Sequence, residues 1–385
     1  MQLPDYQGGS IVNLMASLQV GLGGADHAYA HLTLLPTDEI IHQRQVLLWV
    51  IDGLGYNYLR SHPEAVHLNA ALRGSMTSVF PPTTASAITT FLTGEAPQQH
   101  GLTGWFTYFK ELGSVLSVLP GGSRYGGPGY SACGIDAGKL LGHTAFADRI
   151  EVDACTLSPA NIAGSDFSQT HLGRAKGHSY RNLQEMLTKT VQILQSPGRR
   201  YTYLYWSELD TIGHRTGIWS EAAQQHLMLL DQAFAALLEQ IQGTDTLVIV
   251  CADHGQVDTS PAETLDLEKH PDLAEMLILP LCGEPRAAYC YLRAGCETAF
   301  DVYIESELKD LARSYPSQQL IEENWFGLGE PHPRLSQRIG DRLLLMQSNT
   351  IITDWLAQEK RFQMIGVHGG LSDDELRVPL IVAKT

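Results

Sequence analysis

Three shortages bound what this 385-residue chain can be. It is poor in basic residues, with 26 Lys and Arg against 42 Asp and Glu and a net charge of −16, so it lacks the basic face that a nucleic-acid polymer requires. A small phosphate substrate is not excluded, because bound dications dominate the field inside a site. Cysteine is sparse and unpatterned. The six, at 133, 155, 251, 282, 290 and 296, form no Cys-x-x-Cys pair and no zinc-finger spacing, which points to reduced structural thiols and a cytoplasmic protein. No apolar run approaches the ~18 residues of a membrane span. Residues 1–30 lack a basic stretch followed by an apolar one, so no signal peptide is expected. Repeats and low-complexity tails are also absent.

What is present reads as a globular α/β protein, with 44% hydrophobic and 18% charged residues. Short apolar runs predict strands at 46–52, 75–80, 201–206, 246–251, 287–293 and 341–346. Leu227, Leu230, Phe234, Leu237, Leu238 and Ile241 share a helical face between Ser220, a candidate N-cap, and Gly243, a candidate stop. Leu183, Met186, Leu187, Val191 and Leu194 trace a second stripe. Alternating strands and helices predict one mostly parallel central sheet with helices on both faces. A single catalytic domain over 1–385 is expected. Residues 120–180 and 256–286 carry weak periodicity and read as insertions that form a lid or shape a pocket.

The chemistry collects at the ends of the predicted strands. Val46–Ile51 runs into Asp52-Gly53, and Leu247–Ala252 into Asp253-His254-Gly255. Tyr201–Trp206 precedes Asp210 and His214, whose spacing of four lets a carboxylate and an imidazole meet one metal ion. In an open α/β sheet the ligand site lies beyond the carboxyl ends of the strands, so Asp52, Asp210, Asp253 and His254 are expected in one crevice. Thr83 and Thr84 open a short helix after Pro81-Pro82, where backbone N–H groups favour an anion. Taken singly these signals are weak. Asp52-Gly53 suits a strand-to-helix turn, Thr84 an N-cap, and His368 an ordinary glycine-rich loop.

Their order carries more. Asp52-Gly53, Thr84 with Thr93-Gly94-x-x-Pro97-x-x-His100-Gly101, Glu208-x-Asp210-x-x-Gly213-His214-x-x-Gly217, Asp253-His254-Gly255 and His368-Gly369 follow one another along residues 46 to 383. The set resembles the nucleotide pyrophosphatase/phosphodiesterase (type I phosphodiesterase) family of the alkaline phosphatase superfamily. The resemblance implies an alkaline-phosphatase-like fold and two divalent metal ions. One is held by Asp210, His214 and His368, the other by Asp52, Asp253 and His254. It also implies Thr84 as nucleophile, nine residues before the Thr-Gly step, with Thr83 as the competing register. Nitrogen and oxygen ligands suit zinc first, with manganese or iron behind it.

The implied substrate is a small phosphate ester, nucleotide-like or otherwise organic, cleaved at a phosphodiester or pyrophosphate bond through a phospho-threonine. One departure stands out. Where the family usually has an asparagine that holds a phosphoryl oxygen, this chain has Trp105, which becomes a candidate substrate contact. The rivals are a phosphomonoesterase or phosphonate hydrolase on the same two-metal core and, from another class, a non-catalytic binding protein that keeps the fold. Loss of ligands would mark the last, and all six are present. A sulfatase is disfavoured, because no Cys/Ser-x-Pro-x-Arg surrounds Thr84.

Overall fold

The computed structural model describes residues 2–385. Its centre is a seven-stranded sheet in the order Leu72–Thr77, Arg377–Lys384, Thr246–Cys251, Gln45–Ile51, Arg200–Trp206, Asp153–Pro159, Lys176–Tyr180. Gln45–Ile51 pairs in parallel with both Thr246–Cys251 and Arg200–Trp206. Arg377–Lys384 alone runs antiparallel to its neighbours. Every residue of Gln45–Ile51 and of Thr246–Cys251 is buried, as required of strands covered on both faces.

Helices flank this sheet. Ile11–Gly21 packs against Thr84–Thr93, and Leu183–Gln195 against Glu221–Gln240. The two predicted stripes form as read. Ser220 accepts a hydrogen bond from the Ala223 N–H at the start of Glu221–Gln240, and Asn182 does the same for Glu185 at the start of Leu183–Gln195.

Not every predicted strand joins the central sheet. The predicted strands at 287–293 and 341–346 form as Ala287–Cys290 and Arg342–Met346, but in a second, antiparallel sheet. Its order is Ala312–Pro316, Arg342–Met346, Ala287–Cys290, Cys282–Glu284, Phe106–Phe109, Ser114–Ser117, Gly122–Ser123. Both faces of its middle are covered. Ala287, Tyr289, Leu343 and Leu345 join one apolar cluster, and Ala288, Cys290, Leu344 and Met346 another. A continuous apolar run therefore reported two-sided burial correctly, but burial specifies neither strand direction nor sheet membership.

The poorly patterned stretches also divide. Within 120–180, Asp153–Pro159 and Lys176–Tyr180 are the last two strands of the central sheet, with Lys176–Tyr180 at its edge. Within 256–286, Val257–Asp258 pairs with Gly366–Val367, which delivers His368 to the site, and Cys282–Glu284 lies beside Phe106–Phe109. No disulfide forms among the described residues, and Cys155, Cys251, Cys282 and Cys290 are buried. No described helix is long and apolar enough to cross a membrane.

Candidate active site

Asp52 and Asp253 leave the carboxyl ends of adjacent parallel strands, so strand register alone sets them side by side. Asp210 and His214 sit one turn apart on Glu208–Thr216, the helix that follows the next strand. A Cβ on Gly53, whose φ is +77°, would lie 3.1 Å from the Asp210 backbone. Glycine is thus needed there for both conformation and close approach. His368 completes the cluster, its ring stacked on that of His254 at 3.7 Å between centroids.

Two ligand groups result. Asp52, Asp253 and His254 offer atoms within 4.8 Å of one another, as do Asp210, His254 and His368. His254 Nε2 stands 3.3 Å from Asp52 Oδ1 and 3.5 Å from Asp253 Oδ2. His214 Nε2 stands 3.2 Å from Asp210 Oδ2, and His368 Nε2 3.9 Å from Asp210 Oδ1. All six residues expected from the resemblance are therefore gathered. The tighter group on the Asp210 side includes His254, with His214 flanking Asp210.

The donor set fits cations. His254 Nδ1 faces the Gly255 carbonyl at 3.0 Å and His214 Nδ1 the Gly366 carbonyl at 2.7 Å. A carbonyl only accepts, so each Nδ1 carries a hydrogen and each Nε2 is the atom that faces carboxylate oxygens, able to ligate a cation once it has shed any proton. Asp52 Oδ1 and Asp253 Oδ2 are buried with no hydrogen-bond donor. Carboxylates crowded in a dry pocket repel unless positive charge lies among them, from a charged imidazole or a bound cation.

Titration follows from the same crowding. Burial, then the charges of Asp253 and Asp210, push the Asp52 carboxyl well up, and burial raises Asp253 as well. For Asp210 burial also acts upward, but His214 beside it outweighs this and holds the carboxyl low. Burial would lower His214, yet the Asp210 charge prevails and lifts it to about 9. His368 is driven well below its usual value by burial and by His254.

Thr84 begins the helix Thr84–Thr93, with Thr83 as its N-cap. The two hydroxyls diverge. Thr84 Oγ1 donates toward His254 Nε2 at 3.2 Å, inside the ligand cluster. Thr83 Oγ1 donates to Glu284 Oε1 at 2.6 Å. Trp105, at the margin and 36% exposed, donates its backbone N–H to the same Glu284 oxygen at 2.7 Å. Burial pushes the Glu284 carboxyl up to about 7, against the pull of the Thr83 hydroxyl and the Trp105 N–H.

Several site residues carried no readable signal. Tyr205, inside the predicted strand, donates its phenol hydrogen to Asp52 Oδ2. Gln256 donates to the Asp210 carbonyl at 3.2 Å, and Ser78 to the Asp253 carbonyl. Glu284 belongs to no motif. Arg174, a cation in the weakly patterned stretch 120–180, donates to the carbonyls of Ala147, Ile150 and Val152.

Comparison with known proteins agrees with this geometry. The family model described as type I phosphodiesterase / nucleotide pyrophosphatase matches residues 46–369. Among solved structures, murine ectonucleotide pyrophosphatase/phosphodiesterase 5 in complex with AMP, as an inactive variant, superposes with a TM-score of 0.66 at 17% identity, over 88% of this chain and 87% of that one. The same murine protein without that description gives 0.65 at 17%, over 87% of each chain. The human protein gives 0.66 at 16%, over 88% and 87%. At these identities the likeness is one of fold. No curated protein sequence matches the chain.

Proposed function

Since the chain belongs to the type I phosphodiesterase/nucleotide pyrophosphatase family and is therefore an enzyme, we propose that it is a metal-dependent hydrolase of small phosphodiesters or pyrophosphates, working through a phospho-threonine on Thr84. The observation that carries this reading is the buried cluster of imidazole nitrogens and carboxylate oxygens beside the Thr84 hydroxyl. Asp210, His214 and His368 would hold one divalent ion and Asp52, Asp253 and His254 a second, zinc before manganese or iron. Bound there, the ions supply Lewis-acid stabilisation of the attacking oxygen, the phosphoryl oxygens and the leaving group.

The chain does the rest. The Thr84–Thr93 helix start aims backbone N–H groups at the phosphoryl position. Thr84 Oγ1 forms the bond to phosphorus as the bond to the leaving ester oxygen breaks, and water later cleaves the phospho-threonine to free the phosphate product. Tyr205 and Gln256 hold Asp52 and Asp210 in orientation. Trp105, exposed at the margin, would contact the organic part of the substrate. The AMP complex of the murine relative supports a nucleotide-like substrate. We further propose that residues 1–385 act as one catalytic domain and that the protein works in the cytoplasm on a small substrate, in keeping with its unpaired cysteines.

The test is hydrolysis of bis-p-nitrophenyl phosphate and p-nitrophenyl phosphate by zinc-loaded protein, with Thr84→Ala and chelated protein as controls. Higher catalytic efficiency on the diester, lost in both controls, supports the reading. Preference for the monoester would keep the core and move the protein to the phosphatases. Activity on neither substrate, across several metals, would refute the hydrolase.

A further inference from the structure

Glu284 is a buried carboxylate between three segments of the site. Its Oε1 accepts from the Thr83 hydroxyl at 2.6 Å and from the Trp105 N–H at 2.7 Å. Its stem lies against the loop of His368, since a Cβ on Gly369 would stand 2.8 Å from Glu284 Cβ. Two glycines permit the approach. A Cβ on Gly104 would fall 2.5 Å from Gly283 Cα, so any side chain there would push Trp105 away from Glu284. Among the described residues, Glu284 Oε2 makes no hydrogen bond and no Lys or Arg donates to either oxygen. An unneutralised carboxylate next to the residue that precedes Thr84 is costly to bury. The fold needs only the acceptor at Oε1, which an amide would supply equally well.

We propose that Glu284 sets the substrate's charge: it holds the Thr83 hydroxyl and the Trp105 turn through Oε1 and places a negative charge at the residue preceding Thr84, so that a singly charged diester is accepted over a doubly charged monoester. This inference rests on the phosphoryl-transfer reading above. Its physical basis is ordinary Coulomb repulsion in a partly dry site, where each added charge on the ligand is felt strongly. Glu284 acts here as a positioning and specificity-determining residue.

Glu284→Gln separates the two parts, because the amide oxygen replaces Oε1 as acceptor while the charge is lost. Glu284→Ala removes both. In zinc-loaded protein at about pH 8, where the carboxyl is ionised, Glu284→Gln is expected to lower the ratio of diester to monoester kcat/KM by about tenfold or more. A second arm needs no turnover. On a Thr84→Ala background, calorimetry at about pH 8 compares inorganic phosphate, then mostly the dianion, with dimethyl phosphate, a monoanion. Glu284→Gln is expected to tighten the first by about tenfold relative to the second.

An unchanged ratio in both arms would overturn the proposal. So would parallel loss on both substrates in Glu284→Gln and Glu284→Ala, which is the mark of a purely structural role. If Glu284→Ala does not fold, Glu284→Gln decides alone. Should the parent hydrolyse neither ester while the calorimetric selectivity still shifts, the hydrolase reading fails and the role of Glu284 stands.

Discussion

Thr83 and Thr84 are neighbours in sequence, yet their hydroxyls serve different partners: Thr84 Oγ1 lies 3.2 Å from His254 Nε2, whereas Thr83 Oγ1 lies 2.6 Å from Glu284 Oε1. The turn from extended backbone at the N-cap into the first helical residue rotates successive side chains apart. That rotation settles which threonine faces the ligand cluster.

Thr84→Ala should therefore lower kcat by at least about 10³-fold while metal content stays that of the parent, since the variant loses only the attacking oxygen. Thr83→Ala should retain most turnover. Steady-state kinetics beside metal analysis by mass spectrometry checks both. Equal loss in the two variants would sink the assignment of Thr84.

Metal removal should destabilise the fold as well as abolish activity. Asp52, Asp210 and Asp253 are buried in one cluster, and their mutual repulsion is relieved only by positive charge. A dication present at a thousandfold excess over its Kd adds about 4 kcal/mol of stability. Thermal melts after chelation should fall by several degrees and recover on adding zinc back. A melting temperature indifferent to chelation would contradict the dimetal reading.

Tyr205→Phe tests the support behind Asp52. The change removes the phenol donor to Asp52 Oδ2 and leaves a buried carboxylate oxygen without it, at a cost of about 1–3 kcal/mol. Loss of such a partner typically weakens metal affinity about 10–100-fold. Competition with a chromogenic chelator would measure this, with the strand itself left intact. Wild-type metal affinity in the variant would show that the phenol only packs.

The pair Arg286–Glu375 should give the protein an acid-sensitive limb. Glu375 is fully buried, meets Arg286 through Oε2 at 2.7 Å and Oε1 at 3.0 Å, and accepts from the Gly370 N–H at 2.7 Å, next to His368. Burial acts to raise its carboxyl, but Arg286, Ser372 and the Gly370 N–H outweigh it and hold the group below its usual value. A folded-state value below the unfolded one contributes stability above the unfolded pKa of about 4.3, lost as pH falls through the folded value. Melting curves across acid pH should show this loss. In Glu375→Gln the acid dependence should flatten, and stability near neutrality should fall by about 3–5 kcal/mol because the Arg286 charge is left buried without its partner. An identical acid limb in the variant would assign it to other carboxylates.

How much of this was legible in the chain depended on the range of the signal. The helix Glu221–Gln240 and its Ser220 cap were readable because cap, stripe and stop all lie within one local segment. That the six candidate ligands and Thr84 come together was readable because all but His214, in the last turn of its helix, sit at a strand end or in a first helical turn, where a short motif records the geometry. The strands Asp153–Pro159 and Lys176–Tyr180 were not, since one opens on an acid and the other holds Lys, Gly, His and Ser, patterns shared with loops.

By itself the sequence determined local elements, the burial of the strands Gln45–Ile51 and Thr246–Cys251, and the ordered motifs that mark the family. Tertiary structure alone decided that the apolar runs near 290 and 345 build a second antiparallel sheet. It alone decided that Tyr205 braces Asp52 and that Glu284, 201 residues from Thr83, meets it across the site. The physical reason is common to all three. Periodicity and motif spacing record what a residue requires of its near neighbours, whereas a hydrogen bond between distant segments depends on where the whole chain has already placed them.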